Sequence, residues 1–267
     1  MEQNPYENER LTKRIQEKSL EILIQTADIL EKNEIPFFLA CGTALGCVRH
    51  GGFIPWDDDV DIYIFGKDYP RVKSVFQEQD TGNLILQDWE LQENYPYFWP
   101  KIMAQDTVLV EKSLEHLNYQ GHVFIDVFPL AQVSDNRILQ RFQELDRYCL
   151  YVLLRAYYFN FTSLPRRVFS SLVRRLCKPE KLQKALYGHY LQNSNGHYVA
   201  DAGAFRSRAL LKKAWFAEAK QNDFEGAAMP VPTGVEEYLT HYYGDYMQLP
   251  PENQRVSNHD FFQIEFL

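Results

Sequence analysis

The spacing of apolar residues along the chain predicts a mixed α/β (α+β) fold. Apolar positions recur with helical spacing over 7–33, and the apolar run at 37–40 is typical of a short buried strand. Farther along, the pattern predicts a helix over 69–79 and strands over 83–87, 96–105, 107–111 and 122–128, the last closed by Pro129. Elements in this order predict a mixed β-sheet core flanked by helices.

The middle of the chain combines helical spacing with an excess of basic residues. Eleven Lys and Arg but only three acids lie between Arg137 and Lys184, a net charge of +8 in a chain whose total is −8. Within it, 166–176 is predicted to form a basic amphipathic helix. We expect three parts: a core at 1–135, a basic helical appendage at 136–192, and a C-terminal part at 193–267 that packs back on the core. The appendage should face an anionic membrane leaflet, although a solvated helix face explains the same pattern.

The composition supports a folded protein and argues against some functions. Of 267 residues, 45% are hydrophobic and 15% aromatic, which is enough for a substantial core. The net charge of −8 argues against general nucleic-acid binding. The polar start is unlike a signal peptide, and no apolar run approaches the roughly 20 residues that span a bilayer. Four scattered cysteines without a paired motif fit reduced thiols, so we expect a cytoplasmic location.

The most unusual stretch is a run of acidic residues. Asp57, Asp58, Asp59 and Asp61 lie within five residues, and an apolar, β-branched run follows directly. Because side chains alternate along a strand, Asp57, Asp59 and Asp61 would share one face, where their carboxylates can converge on one metal ion, or on two about 4 Å apart. A calcium loop of the EF-hand type needs glycine at its sixth position, where Ile62 stands. A solvent-exposed acidic turn is a poor explanation, because the apolar run that follows would anchor this segment in the core.

Three separated pieces match the layout of the nucleotidyltransferase superfamily. A Gly42-Thr43 turn precedes a short predicted helix, Asp59 and Asp61 follow on the acidic strand, and Asp126 is a lone acid in a later apolar strand. Phosphoryl transfer from a nucleotide builds charge that two Mg²⁺ ions can clamp, and carboxylates hold such ions. The backbone and hydroxyl of the Gly42-Thr43 turn would bind the nucleotide phosphates. Asp126 would either complete the metal site or accept a proton from the acceptor hydroxyl.

A longer stretch is similar to a known family signature. Residues 42–62, GTALGCVRHGGFIPWDDDVDI, resemble the signature of the LicD family, phosphotransferases of bacterial cell-surface polymers that are related to the fukutins. The run IDVFPL at 125–130 resembles the second acidic motif of the family, and YYGDYM at 242–247 and LPP at 249–251 resemble its C-terminal signature. Within the family, the likeness is to the phosphorylcholine transferases that decorate streptococcal teichoic acids. The resemblance implies that 1–135 is a nucleotidyltransferase-like catalytic core.

The same resemblance implies an enzyme that transfers phosphocholine from CDP-choline to a sugar hydroxyl of a lipid-linked teichoic acid precursor. It implies Asp59, Asp61 and Asp126 as catalytic and metal-binding residues, with Mg²⁺ as cofactor. Two ions are expected, and Mn²⁺ is an alternative. Transfer of another phospho-alcohol, such as ribitol phosphate from a CDP-activated donor, would fit the same residues. A catalytically silent relative that binds the precursor is a further alternative, against which the three intact aspartates argue.

Further candidates for substrate binding lie near these motifs. Arg49 and Lys101 are candidates for binding the pyrophosphate of the donor, and ordinary surface charge is the alternative. His50 would contact substrate or cap the short helix, and Asp57 would orient the loop or bind a water of a second ion. Because aromatic faces bind a quaternary ammonium group well, we expect Trp99 to contact choline. Packing within the core is the alternative for this tryptophan.

Overall fold

A computed structural model describes residues 5–117, 119, 121–191, 196–201, 206–256 and 261–267. The helices are α1 (Pro5–Lys32), α2 (Cys41–His50), α3 (Tyr69–Glu78), α4 (Arg137–Tyr158), α5 (Leu164–Leu176), α6 (Pro179–Tyr190) and α7 (Val235–Tyr243). The strands are β1 (Phe37–Leu39), β2 (Asp61–Phe65), β3 (Leu84–Gln87), β4 (Lys101–Ala104), β5 (Thr107–Glu111), β6 (Phe124–Val133), β7 (Tyr198–Asp201), β8 (Leu210–Lys212), β9 (Ala219–Phe224), β10 (Ala227–Pro232) and β11 (Phe261–Phe266). The predicted mixed α/β class, with helices around a sheet, is confirmed.

The main sheet described has seven strands, with β2 and β6 at its centre. Its order is β1-β2-β6-β4-β3, and β7 pairs with the second half of β6 and with β8. β2 runs parallel to β6, while the other pairs of this sheet are antiparallel. Ile62 and Ile64 of β2 and Val127 of β6 are fully buried, as is usual for parallel strands covered on both faces. In this register Asp61 lies directly beside Asp126.

β6 continues through Pro129, where the sequence predicts its end. The N–H of Asp126 bonds a carbonyl on the β2 side, and the N–H of Val127 bonds the carbonyl of Pro100 on the opposite side. By alternation, the nitrogen of Pro129 faces that opposite side. There β4 has ended, and β7 pairs only from Leu130 onward. The missing N–H of the proline therefore costs no ladder hydrogen bond, and the strand passes through it.

β4 is shorter than the strand predicted over 96–105. It covers only the last part of that range, after Pro100. Two prolines, Pro96 and Pro100, remove backbone donors from the preceding stretch, and Asn94 adopts a left-handed conformation with φ +57°. The aromatic residues between the prolines consequently lie in irregular backbone instead of a strand.

Helices α4, α5 and α6 confirm the helical character predicted for 136–192. Leu150, Leu154 and Tyr158 of α4 and Leu186 of α6 form a small hydrophobic cluster distinct from the main core. The predicted boundary between 192 and 193 lies outside the described residues, so the division into three parts stays a prediction. None of the described helices combines the length and the apolar character needed to cross a bilayer.

Candidate active site

Helix α2 brings the Gly42-Thr43 pair to the acidic loop. The helix begins at Cys41, although the sequence predicts the Gly42-Thr43 pair as a turn before the helix, so the pair forms the first turn of the helix. Cys41 itself adopts the left-handed conformation, with φ +43°, and its N–H donates to the Tyr238 hydroxyl at 2.8 Å. A Cβ atom at Gly42 would meet Oδ2 of Asp57 at 2.6 Å. The glycine therefore permits the close approach of Asp57 to the helix.

Thr43 fixes the start of the acidic strand. Its hydroxyl accepts a hydrogen bond from the N–H of Asp61 at 2.8 Å, and both residues are buried. The N–H of Ala40 donates to the Asp61 carbonyl at 2.9 Å. At the other end of the loop, the side-chain amide of Gln16 on α1 donates to the carbonyl of Asp57 at 2.7 Å. The acidic loop is therefore held at both ends by hydrogen bonds.

Asp61 and Asp126 form the centre of a group of carboxylates. They lie side by side in the parallel register, and both are buried. Burial raises the pKa of Asp61 well above its usual range, and the charges of Asp59, Asp126, Asp57 and Asp201 raise it further, in that order. Like charges around a buried carboxylate are unfavourable unless a cation neutralises them. The group therefore favours a bound cation.

Lys101 supplies one positive charge to this group. It faces Asp126 across the β4–β6 pair, is only 2% exposed, and binds Oδ1 of Asp126 through its ammonium group. The ammonium nitrogen also lies 3.3 Å from the ring centroid of Phe124 and 4.2 Å from that of Tyr97. Burial raises the pKa of Asp126, and the charge of Lys101 partly offsets this rise. Lys101 is therefore a buried partner of the acids and not a surface charge.

Arg49 and His50 lie at the opposite end of α2 from the Gly42-Thr43 pair. At 1.5 Å per residue, their Cα atoms are about 9–12 Å farther along the helix axis. Nη1 of Arg49 donates to the carbonyl of Tyr246 at 2.8 Å, and Nε donates to Nδ1 of His50 at 3.4 Å. Burial lowers the pKa of His50, and the charge of Arg49 lowers it further. Arg49 thus holds the C-terminal segment against α2.

Trp99 lies beside Asp126. Its ring packs on Phe128 with centroids 4.8 Å apart, and Phe128 shares a strand face with Asp126. The indole nitrogen has no hydrogen-bond partner among the described residues, yet it is one of the groups that lower the pKa of Asp126. The indole N–H therefore points toward the carboxylate without the geometry of a full hydrogen bond.

The aromatic cluster around Trp99 is closely packed. The ring centroids of Tyr95 and Tyr97 are 5.4 Å apart, and those of Phe98 and Trp99 are 5.9 Å apart. The cavity that these rings line has a volume of only about 10 Å³, room for a single water. The interior of the cluster does not admit a trimethylammonium group in this arrangement. A choline group would have to bind on the Asp126 side of Trp99.

Asp201 is a buried carboxylate that the sequence analysis missed. It ends β7, is 1% exposed, and accepts hydrogen bonds from the hydroxyls of Tyr63 at 2.5 Å and Tyr242 at 3.3 Å. The Tyr63 hydroxyl also accepts from Tyr238 at 3.2 Å and lies 3.5 Å from Sγ of Cys41. The network joins β2, β7, α7 and the first residue of α2. The signal in the sequence is a lone acid in an apolar run, and the same signal identified Asp126 on β6.

Tyr243 is a second residue missed as a site candidate, although it belongs to the YYGDYM motif. Part of its ring reaches the surface, but burial of the hydroxyl raises its pKa well above the usual range. The charges of Cys41, Asp61, Asp57 and Asp59 raise it further. The Tyr243 hydroxyl therefore lies near the carboxylates and stays protonated, able to donate a hydrogen bond.

The residues of this group suit a divalent cation in their chemistry. Mg²⁺ and Mn²⁺ prefer oxygen ligands, and Asp59, Asp61 and Asp126 offer carboxylates that repel one another without a cation. As placed, no three His, Cys, Asp or Glu side chains in the described part of the chain converge closely enough to form a ready-made metal site. Lys101 occupies Oδ1 of Asp126. Binding an ion through Asp126 therefore requires its other oxygen or a shift of Lys101.

Comparisons with known proteins identify the family of the chain. The family model described as LicD/FKTN/FKRP, nucleotidyltransferase domain, matches residues 34–169. The chain is 28% identical over 260 residues to Lipopolysaccharide cholinephosphotransferase LicD of Haemophilus influenzae, covering 90% of this chain and 92% of that protein. It is 37% identical over 118 residues to Ribitol-5-phosphate transferase FKTN of Homo sapiens, covering 43% of this chain and 21% of that protein. Ribitol 5-phosphate transferase FKRP of Homo sapiens is 27% identical over 101 residues, covering 38% and 18%.

Proposed function

The chain belongs to the LicD/FKTN/FKRP family of nucleotidyltransferase domains, and on that premise we propose that it transfers phosphocholine from CDP-choline to a sugar hydroxyl of a lipid-linked teichoic acid precursor. The family and the relatives make the chain a phosphotransferase. The relative that matches 90% of the chain is named a cholinephosphotransferase, which favours choline as the alcohol. The teichoic acid acceptor, the CDP form of the donor and the need for Mg²⁺ belong to the proposal.

The observation that carries the proposal is the pairing of Asp61 with Asp126 at the centre of the sheet. Asp59, Asp61 and Asp126 would hold Mg²⁺, as one ion or two, with Mn²⁺ as a substitute. When bound, the cation supplies neutralisation of the charge that builds on the phosphoryl oxygens and the leaving group. The Lys101 ammonium favours the charged form of Asp126, which is the form that binds a cation, although burial still raises the pKa of this carboxyl overall. We therefore assign Asp126 to metal binding in preference to proton abstraction.

The transfer itself balances without any further reactant. The oxygen of the acceptor hydroxyl bonds to the phosphorus that carries choline, and the bond from that phosphorus to the bridging oxygen of CMP breaks. CMP leaves with the electron pair, and the hydroxyl proton passes to solvent or to a phosphate oxygen. The protein contributes by placing the two substrates in line and by stabilising charge.

The first turn of α2 is the proposed binding site for the donor phosphates. Gly42 and Thr43 begin a ten-residue helix whose N-terminus carries partial positive charge, and Asp57 packs directly against Gly42. Lys101 lies on the opposite side of the carboxylates and would pair with the pyrophosphate when the cation takes over Asp126. Arg49 and His50 lie farther along α2 and would contact a different part of the substrates.

Ribitol phosphate is the second candidate for the transferred group. Two relatives are named ribitol phosphate transferases, and the 10 Å³ cavity of the aromatic cluster leaves no room for choline in its interior. The two candidates differ in charge: choline is a cation that Trp99 can attract through its ring, whereas ribitol offers only hydroxyl groups. A donor comparison therefore separates them.

The test is a panel of CDP-choline, CDP-ribitol, CDP-ethanolamine and CDP-glycerol with purified protein, teichoic acid precursor and Mg²⁺. Mass spectrometry follows CMP release and the mass gained by the acceptor. We expect the fastest release from CDP-choline, a gain equal to phosphocholine, and no release when EDTA removes the metal. Faster CMP release from CDP-ribitol than from CDP-choline would show that the transferred group is ribitol phosphate and not phosphocholine. Metal-dependent binding of every donor without CMP release would make the chain a catalytically silent binding protein.

A further inference from the structure

Helix α5 turns its apolar face away from the protein. Leu164, Val168, Leu172 and Leu176 follow one another at every fourth position, on one side of the helix, and are between 53% and 71% exposed. The buried residues of α5, Ser170 and Val173, lie on the opposite side. An amphipathic helix in a globular protein normally buries its apolar side, so this orientation is the reverse of the usual one.

The polar side of α5 is what attaches the helix to the rest of the chain. The hydroxyl of Ser170 donates to the carbonyl of Ala156 at the end of α4, at 2.6 Å. The guanidinium of Arg174 donates to the carbonyls of Tyr157 at 2.7 Å and Phe159 at 3.1 Å. These hydrogen bonds fix the rotation of the helix about its own axis. The outward direction of the leucines is therefore built into the packing.

The first half of α4 repeats this design. Ile138, Phe142 and Leu145 are exposed by 66%, 65% and 56% and lie on one side of the helix, whereas Arg147 and Leu154 on the other side are buried. Isolated exposed apolar residues are ordinary on protein surfaces, but two helices with apolar stripes at helical spacing are not. We call the α5 stripe the outward apolar face.

Two basic residues lie within or beside this face. α5 carries Arg166, Arg167, Arg174 and Arg175 and no acid, and all four arginines are exposed. By helical spacing, Arg175 lies within the arc of the apolar stripe and Arg167 lies at its margin. Long arginine side chains can reach outward past an apolar stripe toward phosphate groups at the same level. A surface that is both apolar and basic matches the boundary between the headgroups and acyl chains of an anionic leaflet.

We propose that the outward apolar face inserts into the surface of an anionic phospholipid membrane, with α5 lying in the plane of the leaflet. The charge decides between this occupant and a second copy of the chain, because two copies meeting face to face would bring four arginines together, Arg167 and Arg175 of each copy, without an acid on that helix. The reason for such an attachment rests on the proposed function: a lipid-linked acceptor lies at a membrane surface. The attachment itself can be measured without turnover.

The experiment compares the wild-type protein with the double variant Val168→Ser and Leu172→Ser in co-sedimentation with vesicles. Vesicles of phosphatidylglycerol and phosphatidylcholine are compared with vesicles of phosphatidylcholine alone. The matched control is Val256→Ser, because Val256 is 60% exposed and Val168 is 62% exposed, but Val256 lies in the C-terminal segment. All these positions are exposed, so each variant should keep the unfolding temperature of the wild type.

We expect binding to the anionic vesicles, weakened roughly tenfold or more in the double variant and unchanged in the control. Arg167→Gln with Arg175→Gln should weaken binding to anionic vesicles and abolish its dependence on phosphatidylglycerol.

Absence of wild-type binding, or equal binding by the variant with Val168→Ser and Leu172→Ser, overturns the proposal. A wild-type dimer that the double variant converts to a monomer also overturns it and makes the face a contact between copies. CMP release from CDP-choline onto a lipid-free acceptor sugar tests the proposed function separately, since it needs no vesicle.

Discussion

The ammonium group of Lys101 binds the carboxylate of Asp126 inside the sheet, where both residues are at most 5% exposed. The two lie opposite each other on β4 and β6, while Asp61 lies on the other side of Asp126 on β2. Asp126 is thus between a cation of the protein and a neighbouring acid. In the metal-free protein Lys101 provides part of the neutralisation that the carboxylates require.

Replacing Lys101 by Met should destabilise the metal-free protein by about 3–5 kcal/mol, because it leaves the Asp126 carboxylate buried without its partner. Urea unfolding in EDTA measures the change. The double variant Lys101→Met with Asp126→Asn should recover most of the loss, because the buried charge of Asp126 is removed together with that of its partner. A single variant as stable as the wild type, or a double variant no better than the single one, would contradict a stabilising ion pair at this position.

Replacing Asp61 by Asn should lower turnover by roughly 10³-fold or more while leaving the metal-free fold intact. The pKa of Asp61 in the folded protein is raised by burial and by Asp59, Asp126 and Asp57, so the folded state binds the proton more tightly than the unfolded state. Stability of the metal-free wild type therefore falls as pH rises from about 4, the ordinary Asp value, through the raised pKa. The Asn variant should lose less stability over that range.

Thermal unfolding in EDTA at several pH values measures this difference, with the exposed Asp80→Asn as control. Mg²⁺ should raise the unfolding temperature of the wild type at neutral pH and have little effect on Asp61→Asn. Retained activity in Asp61→Asn would remove this residue from the metal site.

Replacing Gly42 by Ala should reduce turnover about 10–100-fold, because the new methyl group would stand 2.6 Å from Oδ2 of Asp57 and displace that carboxylate. The matched control is Gly188→Ala in α6, where a Cβ atom meets no atom within 4 Å. The control should be neutral or slightly stabilising, since alanine favours a helix more than glycine does. Steady-state kinetics and urea unfolding of both variants provide the comparison. Equal activity of the two variants would show that the position of Asp57 does not matter.

Replacing Trp99 by Ala should raise the KM for CDP-choline roughly tenfold and leave the KM for the acceptor nearly unchanged, if the ring binds the ammonium group. Trp89→Ala is the control, because Trp89 belongs to the same aromatic cluster but contacts Tyr187 of α6 instead of the residues beside Asp126. Equal increases in both KM values, or the same effect from both tryptophans, would assign Trp99 to packing alone.

The family and the identity of the two central acids could be predicted because they depend on local sequence. The LicD assignment is confirmed, and Asp61 and Asp126 each stand at a defined position in an apolar strand. The contact of Lys101 with Asp126 depends on the register between two distant strands, which no local pattern determines. The roles of the predicted site residues remain predictions that the proposed variants test.

The orientation of α5 is a second feature that the sequence does not predict, and the reason is different. Amphipathic spacing indicates which side of a helix is apolar, but not whether that side faces a core. Here the hydrogen bonds of Ser170 and Arg174 to the end of α4 decide the orientation. Asp201, by contrast, was visible as an acid at the end of an apolar run, and its partners Tyr63 and Tyr242 become apparent only in three dimensions.

The bond between the Cys41 N–H and the Tyr238 hydroxyl joins residues 197 positions apart in the chain. During synthesis on the ribosome, the glycine motif and the acidic strand emerge long before α7 exists. A nascent chain released before α7 emerges would lack the hydroxyl that bonds the first N–H of α2, as well as the Tyr242 partner of Asp201. We therefore expect the enzyme to gain its activity only after α7 has been synthesised, so that a chain lacking α7 does not consume the nucleotide-activated donor.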